Sequence, residues 1–130
     1  MHLIRACAPG AIALLMIAAT DSSDLGGRTE LKRAELSGVP AMEVISSMTE
    51  IRTGEEIPRH LHHGIETGYV VQGSLVQYPG KEPTMMATGT VVMNARDVPH
   101  AGFKVVGQQP LRIFTVHIVD KDKPLYEWVK

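Results

Sequence analysis

From Leu31 onward the chain consists of short stretches of strand-forming residues, interrupted by turn residues about every ten positions. The turn pairs are Ser37-Gly38, Thr53-Gly54, Gln72-Gly73, Pro79-Gly80, Thr88-Gly89, Arg96-Asp97 and Val106-Gly107. This pattern is typical of an all-β sandwich or barrel. Strands are predicted near 31–36, 42–51, 57–63, 67–72, 74–78, 83–87, 90–94, 98–105 and 111–119. The only helical signal after residue 30 is a weak turn expected around 121–128.

The length of 130 residues allows one domain and leaves little room for a second. The net charge is −1 and there is no block of basic residues, so the chain lacks the clustered Lys and Arg on which nucleic-acid binding depends. A barrel of this size buries only a modest core. We therefore expect a homodimer formed through an edge strand.

Residues 1–20 have the pattern of a secretory signal peptide: Arg5 near the start, then the apolar run 11–19, which ends in small residues. The run is too short to span a bilayer, so no stable membrane insertion is expected after cleavage. Cleavage would remove Cys7 and leave a mature chain without cysteine. The alternative is an ordered N-terminal helix. The expected organisation is a signal peptide (1–20), a linker (21–30) and one domain (31–130), located in the periplasm or secreted.

The sequence His60-Leu-His62 has the spacing of a ligand pair on a β-strand. Side chains two residues apart lie on the same face of a strand, whereas on a helix they would project in different directions. Pro58 and Gly64 disfavour a helix here. If the chain turns after His62, strand parity also brings Glu66 to the inward face. A His-x-His pair on a surface strand without metal is the alternative.

His100 follows Pro99, which holds the backbone extended just before it. Three neutral imidazoles and one carboxylate form a ligand set suited to a divalent first-row transition metal: iron, manganese, nickel, copper or zinc. We therefore predict one metal site made of His60, His62, Glu66 and His100. In octahedral geometry these ligands leave two positions open, as expected for a reactive site rather than a structural one.

These residues carry a resemblance to the cupin superfamily. Its first motif reads Gly, five residues, His, one, His, three or four, Glu, six, Gly, and it is met without a gap at Gly54, His60, His62, Glu66 and Gly73. The second motif keeps its glycine at Gly89 and its histidine at His100. It departs from the family pattern at three positions, with Ala95 for proline, Asp97 for glycine and Lys104 for asparagine.

The resemblance implies a small single-domain jelly roll, the double-stranded β-helix barrel of the cupin fold, with a metal site. Small cupins include dioxygenases, isomerases and decarboxylases, so the expected function is a metal-dependent enzyme acting on a small oxygen-bearing substrate. A non-catalytic periplasmic module that binds or senses a metal or small ligand is the second hypothesis. A structural cupin with a vacant site is disfavoured, because all four ligand positions are filled.

The remaining candidates have weaker support. Glu66, His117 and Lys104 are candidate catalytic groups. On parity, Lys104 would share the inward face of His100, although a strand-end lysine in water is the alternative. His117 could support a ligand, act as an acid–base group or lie on a polar face. His63 is expected to face solvent at a turn, and Tyr69 and Val71 are expected to pack on the face opposite Glu66. The methionines expected to fill the core are Met48, Met85, Met86 and Met93.

Overall fold

The computed structural model describes residues 25–130, and every regular element in that range is a β-strand. The predicted signal peptide, Cys7 and the first residues of the predicted linker lie outside the described residues. The strands are β1 (Arg28–Glu35), β2 (Met42–Ile51), β3 (Glu56–Ile57), β4 (His60–Leu61), β5 (Gly64–Gln72), β6 (Ser74–Gln77), β7 (Thr84–Met86), β8 (Val91–Asn94), β9 (Phe103–Val105), β10 (Leu111–Asp120) and β11 (Glu127–Trp128). The described residues contain no helix with the length and apolarity needed to cross a membrane.

Two antiparallel sheets and a short ribbon form the barrel. The five-stranded sheet has the order β1-β2-β10-β5-β8, the four-stranded sheet has the order β3-β9-β6-β7, and β11 pairs with β4. Neighbouring strands in each sheet often lie far apart in the sequence, as β2 and β10 do. This crossed connectivity is that of a small jelly roll, so the predicted all-β fold class is confirmed.

The two longest strands, β2 and β10, form the centre of the five-stranded sheet. They pair over their full length, from Leu111 opposite Ile51 to Asp120 opposite Met42. Each shows strict alternation between buried and half-buried residues. Period-two alternation is the signature of a strand with one face against a core. The prediction of strands at 42–51 and 111–119 is therefore confirmed.

The interior of the barrel divides into two halves with different chemistry. One half, called here the apolar half, is a single cluster of buried side chains: Ile51, Ile57, Val70, Val76, Phe103, Val105, Leu111 and Ile113. The other, called the polar half, contains the buried residues His60, His62, Glu66, Thr115 and His117. Strand β10 contributes to both halves, because its inward residues change from Leu111 and Ile113 to Thr115 and His117.

The predicted strand at 98–105 is only partly formed, because the backbone leaves the extended conformation within it. Ala101 and Gly102 have φ angles of 59° and 79°, in the left-handed region. Alternation therefore does not continue from His100 into β9. Lys104 is exposed, whereas its neighbours Phe103 and Val105 are buried. The expectation that Lys104 shares the inward face of His100 is wrong.

Other boundaries also differ from the sequence prediction. Strand β1 begins at Arg28, inside the predicted linker, and the predicted strand at 57–63 is two short strands, β3 and β4. No helical turn forms at 121–128. Instead Glu127 and Trp128 pair with Leu61 and His60 to form the β4–β11 ribbon.

The methionines do not fill the core as a group. Met85 and Met93 are 64% and 68% exposed, so the prediction that they pack inside the barrel is wrong. Met86 is half-buried and packs against the apolar cluster. Met48 is half-buried on the outward side of β2. Tyr69 and Val71 lie on the face of β5 opposite to that of Glu66, as expected, but they are exposed rather than packed.

The outward side of the five-stranded sheet carries many apolar residues, interrupted by Ser46 and Thr67 beside Val116. Pairing places Phe114 between Met48 and Tyr69, with Val91 beyond Tyr69. Two further rows run parallel to this one, through Val116 and through Ile118. We call this surface the outer face; its apolar residues are Val44, Met48, Ile65, Tyr69, Val91, Met93, Phe114, Val116 and Ile118.

Candidate metal centre

The two histidines of the His-x-His pair both face the interior. His60 is 3% exposed and His62 is 1% exposed, whereas Leu61 between them is half-buried. His62 leads into β5 through Gly64, where a Cβ would overlap the carbonyl oxygen of Ile118. Only glycine allows β5 to approach β10 this closely. The close approach brings Glu66, 8% exposed, to the same side as both histidines.

His100 reaches the cluster through a backbone bridge to His60. The amide of His60 donates to the carbonyl oxygen of His100 at 3.1 Å, and the amide of His100 donates to that of His60 at 2.8 Å. Their ring centroids are 4.4 Å apart. The turn before His100 contains Asp97 at φ 60°, at the position where the second cupin motif has glycine. Aspartate adopts this conformation more readily than most residues, so the turn is kept without glycine.

Backbone carbonyl groups fix the tautomer of three histidines. The Nδ1–H of His60 donates to the carbonyl oxygen of Pro58 at 2.8 Å, and that of His100 donates to Val98 at 3.0 Å. The Nδ1–H of His62 donates to the carbonyl oxygen of Leu125. Because a carbonyl oxygen only accepts, each Nδ1 must carry the proton. Each neutral ring therefore keeps its Nε2 lone pair available for a ligand.

The carboxylate of Glu66 lies among these nitrogens. Its Oε2 is 3.3 Å from Nε2 of His62 and 3.2 Å from Nε2 of His100. The same oxygen accepts a hydrogen bond of 2.6 Å from the side-chain amide of Asn94. Asn94 lies opposite Glu66 on β8, so the sheet itself holds the donor that orients this carboxylate.

His117 occupies the other side of the carboxylate. It lies opposite Glu66 on β10 and is completely buried. Its Nε2 is 3.3 Å from Oε1 of Glu66, and its ring centroid is 4.6 Å from that of His62. Neither of its ring nitrogens has a hydrogen-bond partner among the described residues. Of the roles considered for His117, the position on a solvated polar face is therefore wrong.

The charge of Glu66 depends on its imidazole neighbours. Burial alone would raise the pKa of this carboxyl group, because the charged form loses its hydration. His100, His117 and His62 surround it and outweigh that effect, so the pKa of Glu66 lies far below its usual range. Glu66 is therefore a carboxylate at neutral pH and can act as an anionic ligand.

The surrounding histidines respond to burial and to Glu66 in opposite directions. Burial lowers the pKa of His60 to about 4, so this ring is neutral at physiological pH. Burial also lowers the pKa of His117. Burial acts on His100 in the same direction, but the neighbouring carboxylate of Glu66 more than compensates and its pKa is raised. Neutral imidazole is the form that binds metals.

A cavity of about 160 Å³ opens beside the cluster, between the two halves of the barrel. His60, Glu66, His100 and Asn94 form its polar side. Most of the remaining wall is apolar, and includes Ile57, Met86, Val92, Ala101, Phe103 and Ile113. The cluster therefore has access to a small, largely apolar chamber.

Tyr126 is a site residue that sequence reasoning did not identify. It is 3% exposed, and its ring centroid lies 4.9 Å from that of His60 and 5.0 Å from that of His62. Its other face stacks on Trp128 at 5.5 Å. The alternation of Tyr126 with Trp128 is the available signal, whereas the sequence pattern around it predicts a weak helical turn.

Two candidate residues lie outside the cluster. Lys104 is exposed, and its backbone lies opposite Glu56 where β9 pairs with β3. Its candidacy as a catalytic group in the pocket is therefore not supported. His63 lies at the turn, where its ring nitrogens are 2.9 Å from Asp97 and 2.8 Å from Glu127. Both of its nitrogens are therefore engaged by surface carboxylates, and it does not face the other histidines.

The described side chains fit a metal ion. Two overlapping groups have ligand atoms within 4.8 Å of one another: His60, His62 and His100, and His62, Glu66 and His117. The Nε2 atoms of His62, His100 and His117 are buried without a hydrogen-bond partner. Ligands held about 2.1 Å from a metal lie about 3.0–3.4 Å apart in neighbouring positions. The spacings of 3.2–3.3 Å around Glu66 match that range.

Solved structures with the same fold include three proteins of low sequence identity. An uncharacterized conserved protein with a double-stranded β-helix domain from Klebsiella pneumoniae has a TM-score of 0.53 and 18% identity, over 79% of this chain and 83% of that one. The polyketide cyclase RemF from Streptomyces resistomycificus has a TM-score of 0.52 and 20% identity, over 67% and 62%. The DMSP lyase DddQ from Ruegeria pomeroyi has a TM-score of 0.50 and 17% identity, over 62% and 40%.

At these identities the structural likeness establishes the fold alone. The chain spans less than two thirds of the cyclase and of the lyase. A search of curated protein sequences finds no match. The family comparison is more specific, because the Cupin domain matches residues 47–117, which include all of the histidines and the glutamate of the cluster. The chain belongs to the cupin family.

Proposed function

We propose that this protein is a metal-dependent enzyme that acts on a small oxygen-bearing substrate, in the manner of a dioxygenase or an isomerase. The observation that carries the proposal is the convergence of three imidazoles with fixed tautomers and one carboxylate at the side of an apolar cavity. A divalent metal held there would act as a Lewis acid toward a substrate oxygen. A redox-active metal would also support chemistry with dioxygen.

The protein groups that hold the metal in this proposal are His60, His62, Glu66 and His100. Their net charge would be −1, because imidazole binds a metal in its neutral form and Glu66 is ionised. A divalent ion would retain one positive charge, which favours binding of an anionic or strongly polar oxygen. Asn94 holds the carboxylate in place through its hydrogen bond to Oε2. A hydrogen bond from a neighbouring side chain to a metal ligand orients that ligand and tunes its basicity.

The cavity indicates the size and polarity of the substrate. A volume of about 160 Å³ is close to that of cavities known to accommodate a benzene-sized molecule. The apolar wall would contact the hydrocarbon part of such a molecule, while its oxygen would face the histidines. Tyr126 covers the cluster on one side and limits access of water to it. A small, apolar or aromatic molecule with an oxygen substituent therefore fits best.

A non-catalytic module that binds or senses a metal or small ligand is the second candidate. It is favoured by the shortage of acid–base groups in the described wall of the cavity. Apart from the histidines and Glu66, the polar side chains there are those of Asn94, Thr49, Thr115, Tyr78 and Tyr126. Lys104, the one cation that the sequence predicted in the pocket, is exposed instead.

The test begins with metal analysis of protein purified without oxygen. Oxygen uptake is then measured with catechols and diketones as substrates. A redox-active metal with substrate-dependent uptake supports the enzyme, whereas bound zinc without turnover supports the binding module. Loss of metal from His62→Ala and His100→Ala, but not from His63→Ala, is expected. Unchanged metal content in the first two variants would reject the site.

Export of the protein is a separate proposal that rests on residues 1–20. Exported protein should begin near residue 20, which mass spectrometry of periplasmic and extracellular fractions would reveal. Detection of an intact Met1 in those fractions would contradict cleavage of a signal peptide.

A further inference from the structure

His117 is the residue of the cluster that the cupin motifs do not include. It lies on β10, the strand after the end of the second motif, and its side chain is as buried as any among the described residues, at 0% exposed. Its inward neighbours along β10 are Thr115 and Val119, and Ile45 lies opposite on β2. Glu66 lies opposite on β5 and the ring of His62 is 4.6 Å away, so the polar atoms of His117 face two members of the predicted metal site. The imidazole therefore calls for a chemical explanation.

The explanation lies in its unpaired nitrogens. Buried polar groups almost always have hydrogen-bond partners, and an unpaired one is costly. Neither Nδ1 nor Nε2 of His117 has such a partner among the described residues. The 3.3 Å approach of Nε2 to Oε1 of Glu66 lacks hydrogen-bond geometry, and it equals the spacing of His62 from the other oxygen. His117 thus approaches the carboxylate as a neighbouring ligand does.

We propose that His117 is a fifth protein ligand, which binds the metal through Nε2 together with His60, His62, Glu66 and His100. The proposal rests on the metal site described under the proposed function and extends it. His62 belongs to both groups of side chains that could hold an ion, so a single centre can draw on both. Coordination would satisfy the buried Nε2 and select the tautomer with the proton on Nδ1.

A fifth ligand changes which substrates the centre can accept. Four protein ligands leave two positions in an octahedral centre, and a chelating substrate such as a catechol could occupy both. Five protein ligands leave one. The substrate would then bind through a single oxygen, as an alcohol, carbonyl or monodentate carboxylate does. The small cavity beside His60 and His100 is compatible with one such donor group.

The number of bound imidazoles can be counted by X-ray absorption spectroscopy of the metal-loaded protein. Four are expected in the wild type and three in His117→Gln and His117→Leu, with metal affinity reduced roughly 10-fold or more in a chelator competition. Thr115→Val is the matched control, because Thr115 is buried two residues away with an unpaired hydroxyl group. It should retain four imidazoles and the wild-type affinity.

The outcomes separate this inference from the proposed function. Bound metal with three imidazoles in the wild type overturns the fifth ligand and leaves the four-ligand site intact. Wild-type protein that binds no metal overturns both. If the two His117 variants fail to fold, the imidazole count of the wild type alone decides.

Discussion

The apolar and polar halves of the barrel interior share strands β5 and β10 but depend on different forces. In the apolar half, Leu111 and Val70 are completely buried among other hydrocarbon side chains, and burial alone stabilises them. In the polar half, His62 and His117 bury ring nitrogens without a hydrogen-bond partner. Such atoms destabilise the fold unless a ligand satisfies them. The apolar half therefore supports the fold, whereas the polar half presents buried nitrogens that a bound ligand would satisfy.

The largest effect is expected from a cavity in the apolar half. Leu111→Ala should lower the free energy of unfolding by about 2–5 kcal/mol, because it removes a fully buried side chain from a packed cluster. Denaturant unfolding should give the same loss with and without metal. A loss that appears only in the metal-bound protein would show that the halves are not energetically separate.

Removal of metal should act on the polar half. At a free metal concentration of 100 times Kd, chelation should lower the free energy of unfolding by about 3 kcal/mol, because the ion binds only the folded state. The His62→Ala variant lacks a central ligand and should show almost no response. Thermal unfolding with and without chelator measures both. An equal response in the two proteins would place the stabilising metal elsewhere.

A smaller effect is expected at Asn94. Asn94→Ala removes the 2.6 Å hydrogen bond to Glu66 but leaves every proposed ligand in place. Metal affinity should fall about 10- to 100-fold, equivalent to about 1.4–2.7 kcal/mol. Chelator competition gives the affinity, and Met93→Ala on the same strand is the control. Equal affinities for wild type and Asn94→Ala would mean that Glu66 binds the metal equally well without the hydrogen bond from Asn94.

The smallest effect is expected at His63, which is adjacent to His62 in sequence but belongs to neither half. His63→Ala should change the free energy of unfolding by no more than about 0.5 kcal/mol, because its contacts are with surface carboxylates. Metal content should not change. A loss of metal from this variant would contradict its position outside the site.

Local sequence pattern predicted much of this fold. Short runs of strand-forming residues between glycine-containing turns predicted an all-β barrel. The alternation of side chains between the two faces of a strand is a local property of its backbone, so inward positions could also be predicted. The same rule correctly placed His60, His62 and Glu66 on one face. It failed between His100 and Lys104, where Ala101 and Gly102 adopt positive φ angles and break the alternation.

Features that depend on pairing between strands far apart in the sequence could not be predicted in this way. Strand β11 has two residues and forms only because β4 offers it a partner, so Tyr126 was not recognised as part of the site. The burial of His117 depends on its register opposite Glu66. The exposure of Met93 follows from its place on the outer side of β8. Such positions are set by tertiary contacts rather than by residue type.

The segment after β10 has a consequence for how the site is maintained. The carbonyl oxygen of Leu125 accepts a hydrogen bond from Nδ1–H of His62, Tyr126 covers the histidine rings, and Trp128 pairs with His60. We therefore expect occupancy of the cluster and docking of this short segment to be thermodynamically linked, each favouring the other. Protease cleavage or hydrogen exchange near residue 125 would report metal loading from a distance, without any spectroscopic probe on the ion.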